Sequence, residues 1–419
     1  MMLFRWCFAT FNGASRCRHE QYRERIYMKN LETQHTIPLK IENITFNSKS
    51  DQTIEIVIVP KLEDKNAHQE NVGIELDEDL IFEILSKHYQ HVQVTQINTQ
   101  RDLDDLAGRR PDLVFSGVKY FHFNSENLWL NDFLDSHDIA YMASNRAALD
   151  GENDKDRAKR TMQKANINTA CFFVTKPDEY LTEDSIPLAF PLFIKPVSSG
   201  DSMGIDANSI VTNFLGFQSK ILDIYRNQYC SSMVETYLPG KEYSVGIFED
   251  GVSGTLRAMP IEIIAEPNEN GHRILDFDIK RNDSEKVLAV TDTRIHKALS
   301  DLAKNAFKAL GGKSLGRIDI KMNENNVPHF IEANLMPGLR RGYFYRACLL
   351  NLDMSYEQMI LTIAENGLSS KDSQLDVLTD TTQLQTQNAS AVHAIDRGMV
   401  SAYPVDSGHE AVYRPILPV

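Results

Sequence analysis

Gly316-Arg317-Ile318-Asp319-Ile320-Lys321, then Asn323 to Val327, then Phe330-Ile331-Glu332-Ala333-Asn334 form the stretch on which the reading of this 419-residue chain turns. Apolar and polar residues alternate on both sides of a polar turn, which predicts a β-hairpin. Side chains alternate across a strand, so Arg317, Asp319 and Lys321 share one face, and Glu332 and Asn334 share one face of the partner strand. Three oxygen-bearing groups, Asp319, Glu332 and Asn334, can then converge. A hard donor set without His or Cys suits Mg²⁺, with Mn²⁺ as an alternative, held between carboxylates and substrate phosphates. Arg317 beside them suits a phosphoryl group in transfer. Read alone, the same residues describe an ordinary charged hairpin face equally well.

Upstream, Pro191-Leu192-Phe193-Ile194-Lys195-Pro196 is an apolar strand that delivers one lysine, followed by the small-residue loop Val197 to Gly204. Backbone N–H groups and the hydroxyls of Ser198, Ser199 and Ser202 can cradle phosphate there, although such a loop is also a common hairpin turn. Ala158, Met162 and Ala165 place a helix over residues 154–165, and Cys171 to Val174, Ser232 to Glu235, Tyr243 to Phe248 and Leu275 to Ile279 read as strands. Ile295 to Leu310 is an amphipathic helix closed by Gly311. Gly311-Gly312-Lys313-Ser314 imitates the end of a phosphate-binding loop, yet the glycine required at 307 is Phe307 and the segment follows a helix instead of opening one. Ser355-Tyr356-Glu357-Gln358 is a capping box that opens a helix ending near Gly367. Toward the N-terminus, Ile54 to Val59 is a β-branched run stopped by Pro60. Leu76, Leu80, Ile81, Ile84 and Leu85 follow at helical period, then strands over Val92 to Ile97 and Asp112 to Phe115. The order strand, helix, strand, strand gives a small α/β layer.

Composition agrees with a compact α/β protein: 42% apolar, 24% charged and 9% aromatic residues. No apolar run approaches the roughly 20 residues of a membrane-crossing helix. A net charge of −14 provides no global basic field for nucleic acid. Five scattered cysteines without a CxxC pair argue against a disulfide framework and a structural zinc, and for the cytoplasm. Residues 1–25 carry Arg5, Arg16, Arg18, Arg23 and Arg25, faintly like an organellar transit peptide; Glu20 and Glu24 interrupt that pattern and favour an overlong start or a disordered arm.

Taken together, these segments resemble the ATP-grasp superfamily, and within it the D-alanine:D-alanine ligase family, over roughly residues 52–365. Asp154-Lys155 resembles the start of the helix whose lysine touches ATP phosphates, and Lys195 resembles the strand-borne lysine at the α-phosphate. Ser198 to Gly204, with Ser199 and Ser202, is similar to the loop that covers the phosphates. Glu235-Thr236-Tyr237-Leu238 resembles the hinge that binds adenine through its backbone, and Glu242 falls at the ribose-binding acid. Lys280 resembles the lysine that reaches the terminal phosphates, while Asp319, Glu332 and Asn334 fall at the ligands of two Mg²⁺ ions. The resemblance implies catalytic roles for Arg317, Lys280 and Ser202, and a substrate-binding segment containing Gly338, Arg340, Arg341 and Tyr343.

Two stretches depart from the family pattern. Val118-Lys119-Tyr120-Phe121-His122-Phe123-Asn124 stands where the family has a histidine- and glycine-rich acidic loop. After Pro337-Gly338, Leu339-Arg340-Arg341 replaces the small hydroxyl residues that hold an acceptor carboxylate. The expectation is an α/β ATP-grasp fold. An N-terminal extension (1–51) precedes an N-terminal domain (52–150), a central subdomain (151–240), a C-terminal catalytic subdomain (241–368) and a polar tail (369–419). The implied activity is ADP-forming, carboxylate–amine ligation through an acyl phosphate, on small amino acids or carboxylates, with an acceptor other than plain D-alanine and with a homodimer compatible. A nucleotide-binding regulatory protein and an ATP-grasp kinase are the alternatives.

Overall fold

The computed structural model describes residues 49–58, 73–74, 76–123, 126–198, 203–267, 271–275 and 284–369. Ser199, Ser202, Lys280, the basic N-terminal arm and nearly all of the polar stretch 369–390 lie outside the described residues.

The first layer is a parallel sheet. Strand β1 (Ser50–Ile58) lies between β2 (Tyr89–Gln96) and β3 (Leu113–Ser116), and β6 (Ala140–Tyr141) extends the sheet beyond β3. Helix α1 (Glu78–His88) buries Ile81, Ile84 and Leu85. A second helix, α2 (Gln100–Arg109), corrects the expected order strand, helix, strand, strand. Parallel neighbours require a crossover, and Thr99 and Asp102 supply the capping box that starts it. Only Leu103, Leu106 and Ala107 of α2 are buried, among charged residues that hide its period. The departing stretch at Val118 folds as a hairpin of β4 (Tyr120–Phe123) and β5 (Glu126–Trp129).

Helices α3 (Leu130–Ser136), α4 (Arg146–Asn153) and α5 (Lys155–Lys164) lead to a second, antiparallel sheet. It contains β7 (Phe172–Thr175), β8 (Leu192–Pro196), β9 (Ile210–Val211) and β10 (Ser232–Thr236), in the order β7-β10-β8-β9. Helix α6 (Phe214–Gln228) covers one face, packing Phe217, Ile221 and Ile224 on Leu192, Ile194 and Val234.

The third sheet is antiparallel and built from β11 (Glu242–Glu249), β12 (Leu256–Ile264), β13 (Lys286–Ala289), β14 (Leu315–Met322) and β15 (Pro328–Asn334), in the order β13-β12-β11-β14-β15. Leu275 is in no strand, and 276–279 lie outside the described residues. Strand β12 carries Pro260, which discourages a strand reading; its carbonyl accepts from Asn351 Nδ2. Helix α7 (Thr293–Ala309) ends at Leu310, and Gly311 follows at φ 75°, so the GGKS segment is a helix terminus. After α8 (Tyr343–Leu352), Ser355 and Gln358 exchange both capping-box bonds, and the helix over 356–369 follows. Gly240 crosses from the second sheet to the third, where a Cβ would sit 2.6 Å from the Met322 carbonyl oxygen; only glycine lets the two strands approach so closely.

Candidate functional site

The second and third sheets face each other across a cleft of about 760 Å³, counted to its open mouth. Its far wall is the hairpin that opened the sequence reading. Asp319 pairs directly with Glu332 and Arg317 with Asn334, because the register slips after Asp319 and leaves Ile331 as an extra residue. The two carboxylates therefore stand side by side. Asp319 is 8% exposed. Arg317 grips it with Nε and Nη2, each at 3.0 Å, and the Ser244 hydroxyl donates to it at 2.6 Å from the neighbouring strand β11. Burial works against the Arg317 charge, but Asp319 and then Glu332 outweigh it and raise the guanidinium above its ordinary value. The Asn334 Nδ2 is buried without a hydrogen-bond partner.

The near wall holds a cationic clamp. Glu235, at the end of β10, is buried and bonds Lys195 Nζ at 2.9 Å through one oxygen and Lys159 Nζ through the other. Lys195 comes from β8, directly opposite Met233 of β10. Lys159 also donates to Thr169 Oγ1 at 2.7 Å, and Thr169 in turn reaches the Phe330 carbonyl, so the clamp is tied to the hairpin behind it. Burial drives the Lys159 pKa down to about 8, although Glu235 pulls the other way. Burial would raise the Glu235 carboxyl, yet Lys159 and Lys195 overcome it and hold it below the ordinary carboxylate range.

Thr236, Tyr237 and Leu238 line the cleft beside the clamp, and Glu242 lines it at the entry of β11, paired with Lys321 at 2.8 Å. Of the three lysines on α5, the helix presents Lys159 to the cleft, while Lys155 stands one turn back, outside the lining, and Lys164 ends the helix. The available signal was the buried stripe: Lys159 shares it with Ala158 and Met162. Gly338, Arg340 and Arg341 are exposed and do not line the cleft, and the Arg341 guanidinium lies over the Tyr356 ring at 5.5 Å. Leu339, at 1% exposure, is the residue that turns inward. Tyr343 does approach the site, with its ring 5.5 Å from the Arg317 guanidinium. Burial and then the nearby Glu285 carboxylate push its hydroxyl pKa up. Arg346, the last arginine of the stretch that departs from the family pattern, is buried 3.6 Å from Glu285.

Among the described residues no group of three or more His, Cys, Asp or Glu is placed to hold a metal. Asp319, Glu332 and the Asn334 amide form a smaller, oxygen-only set. That fits an ion such as Mg²⁺, which takes one or two protein carboxylates and completes its shell with phosphate and water.

Residues 162–365 match the family described as D-ala D-ala ligase C-terminus. The chain is 25% identical over 233 residues to a D-alanine–D-alanine ligase of Hydrogenovibrio crunogenus, covering 55% of this chain and 70% of that one. It is 29% identical over 221 residues to a ligase of the same name from Lacticaseibacillus casei, covering 52% of this chain and 57% of that one. Among solved structures, the D-alanine–D-alanine ligase of Bacillus anthracis complexed with ATP superposes with a TM-score of 0.55 at 18% identity, over 77% of this chain and 99% of that one. The VanG D-Ala:D-Ser ligase of Enterococcus faecalis gives 0.55 at 18% identity, over 76% and 100%. Two antiparallel sheets closing on a lysine- and carboxylate-lined cleft, preceded by a parallel α/β layer, give the fold of those ligase structures. Residues 162–365 are thus similar to the C-terminal part of D-alanine–D-alanine ligases, and the chain is similar to those ligases at 25–29% identity over about half its length.

Proposed function

We propose that this chain joins a small carboxylate to an amine with cleavage of ATP to ADP and phosphate. The observation that carries the reading is the cleft itself: two buried lysines locked on one carboxylate face a pair of carboxylates registered side by side on the opposite hairpin. Tetra-anionic ATP fits between a cationic wall and an acidic one only if cations bridge the second contact, so Asp319, Glu332 and Asn334 would hold Mg²⁺ against the terminal phosphates. The metal would supply charge neutralisation there. Lys159 and Lys195 neutralise phosphate charge on the other side, with Lys155 flanking them, and Arg317 is fixed by Asp319 close to the transferring group. The hinge Glu235 to Leu238 would take adenine, with Leu238 N–H as the donor because the Thr236 and Tyr237 N–H groups are given to the Cys171 and Pro191 carbonyls, and Glu242 takes the ribose. The resemblance adds Lys280 at the terminal phosphates, and Ser199 and Ser202 in a loop that would cover them and exclude water. The Bacillus anthracis relative described as complexed with ATP supports the nucleotide.

In this reading the substrate carboxylate attacks the γ-phosphorus, ADP leaves, and an acyl phosphate forms. The amine of the second substrate then attacks its carbonyl carbon, loses a proton, and phosphate departs. The acceptor is an amino acid other than plain D-alanine, because Leu339, Arg340 and Arg341 supply no small hydroxyl after Pro337-Gly338 and Tyr343 packs on Arg317. A screen of ADP and phosphate release with Mg²⁺ against D- and L-amino acids, in pairs and with small carboxylates, tests the whole proposal. ADP with free phosphate and an amide supports it. Phosphate retained on the substrate would mean a kinase, no ADP with any substrate a binding protein, and AMP with pyrophosphate a different chemistry.

A further inference from the structure

The parallel layer and the third sheet meet at one buried carboxylate. Glu152 lies in the last turn of α4, and its side chain is 5% exposed. One oxygen receives Lys119 Nζ at 2.6 Å, and the other accepts the backbone N–H of Leu335. Lys119 leaves the carboxyl end of the parallel sheet, where such sheets gather their ligands, in the stretch that departs from the family pattern; its side chain is only 10% exposed. Leu335 directly follows Asn334 and opens the turn through Met336, Pro337 and Gly338. A second tie joins the same two units, with the Ser144 hydroxyl accepting from Lys313 N–H at 3.0 Å. Against apolar isosteres a buried ion pair adds little net stability, whereas it holds its partners in one geometry.

We propose that Glu152 is a positioning residue: fixed by Lys119, it holds the Leu335 N–H and so sets where Asn334 stands relative to Asp319 and Glu332. Docking of the N-terminal layer is thereby coupled to the cation end of the cleft. This rests on the reading of Asp319, Glu332 and Asn334 as a divalent-cation site.

The test is Mn²⁺ binding in the presence of ADP, followed by the EPR signal of free Mn²⁺, with kcat, KM for ATP and Tm alongside. If wild type binds no Mn²⁺, the cation site fails and the proposal fails with it. Given wild-type binding, Glu152→Gln and Lys119→Met should each weaken Mn²⁺ about tenfold and lower kcat similarly, as loss of outer-shell support does. KM for ATP should stay within about twofold, because the clamp and hinge lie on the other sheet. The joint Lys119→Met, Glu152→Gln variant has no unpaired charge and keeps an amide oxygen for Leu335, so it should return to within about threefold of wild type. Lys119→Met with Glu152→Leu is also neutral but lacks the acceptor, and should remain about tenfold weaker. Unchanged Mn²⁺ affinity in a folded Glu152→Gln protein overturns the proposal, as does a double variant with glutamine no better than the one with leucine. That last comparison decides the matter if the single variants do not fold.

Discussion

Replacing Glu235 by Gln preserves side-chain volume and removes the one charge shared by two buried lysines. Each of the two charge-assisted bonds, one at 2.9 Å from Lys195, is worth ~1.5–3 kcal/mol, and breaking a buried ion pair from one side costs ~3–5 kcal/mol. Lys159 has a partial escape. Burial already holds its pKa down at about 8, and losing the Glu235 charge lowers it further, so Lys159 can shed its proton near neutral pH and the loss should fall near the low end, about 3 kcal/mol. At ~2–4 °C per kcal/mol for units of this size, the free protein should melt roughly 6–12 °C below wild type. Bound triphosphate would supply the missing counter-charge, so saturating ATP with Mg²⁺ should raise the variant's Tm by more than it raises the wild type's. Thermal unfolding with and without nucleotide measures both quantities. A variant that melts within about 2 °C of wild type, or that gains less from ATP, would refute the clamp as described.

Four further outcomes are expected. Glu332→Gln should abolish ADP release while Tm barely moves, since the half-buried side chain contributes little to the core; retained turnover would remove the hairpin as the cation site. Lys159 is depressed from 10.5 to about 8, so above about 8 the folded state has released a proton that the unfolded chain still holds. Its contribution to stability therefore rises with pH between those values while ATP affinity falls; both trends should vanish in Lys159→Met, and binding that is flat from pH 7 to 9 in wild type would contradict the assignment. Leu238→Pro should lose ATP affinity because proline removes an N–H donor and fixes φ at the hinge, which equilibrium binding to the folded variant can check. Arg340→Ala and Arg341→Ala, both exposed, should leave stability within about 0.5 kcal/mol and alter the choice among acceptors in the ligation panel; identical acceptor profiles would exclude them from that pocket.

What the sequence determined by itself was local. Alternation across Gly316 to Asn334 was enough for the hairpin, because a period of two assigns faces without help from the rest of the chain. Ser355 with Gln358, and Gly311 after its helix, announced their caps because those bonds span three or four residues. The same reasoning exposed the false phosphate loop. Tertiary structure decided what depends on phase, register and distance. Asp319 opposes Glu332 only because the ladder slips at Ile331, and no alternation pattern shows a slip. Lys159 instead of Lys155 enters the cleft because the rotation of α5 is set by Ala158 and Met162 packing into the core. Helix α2 was hidden by its charges and required by the parallel pairing around β1, while Pro260 concealed a strand whose carbonyl there is met by Asn351. Lys119 and Leu335 are 216 residues apart and meet on Glu152. A contact of that span is fixed by how separate layers pack, so no window of sequence contains it.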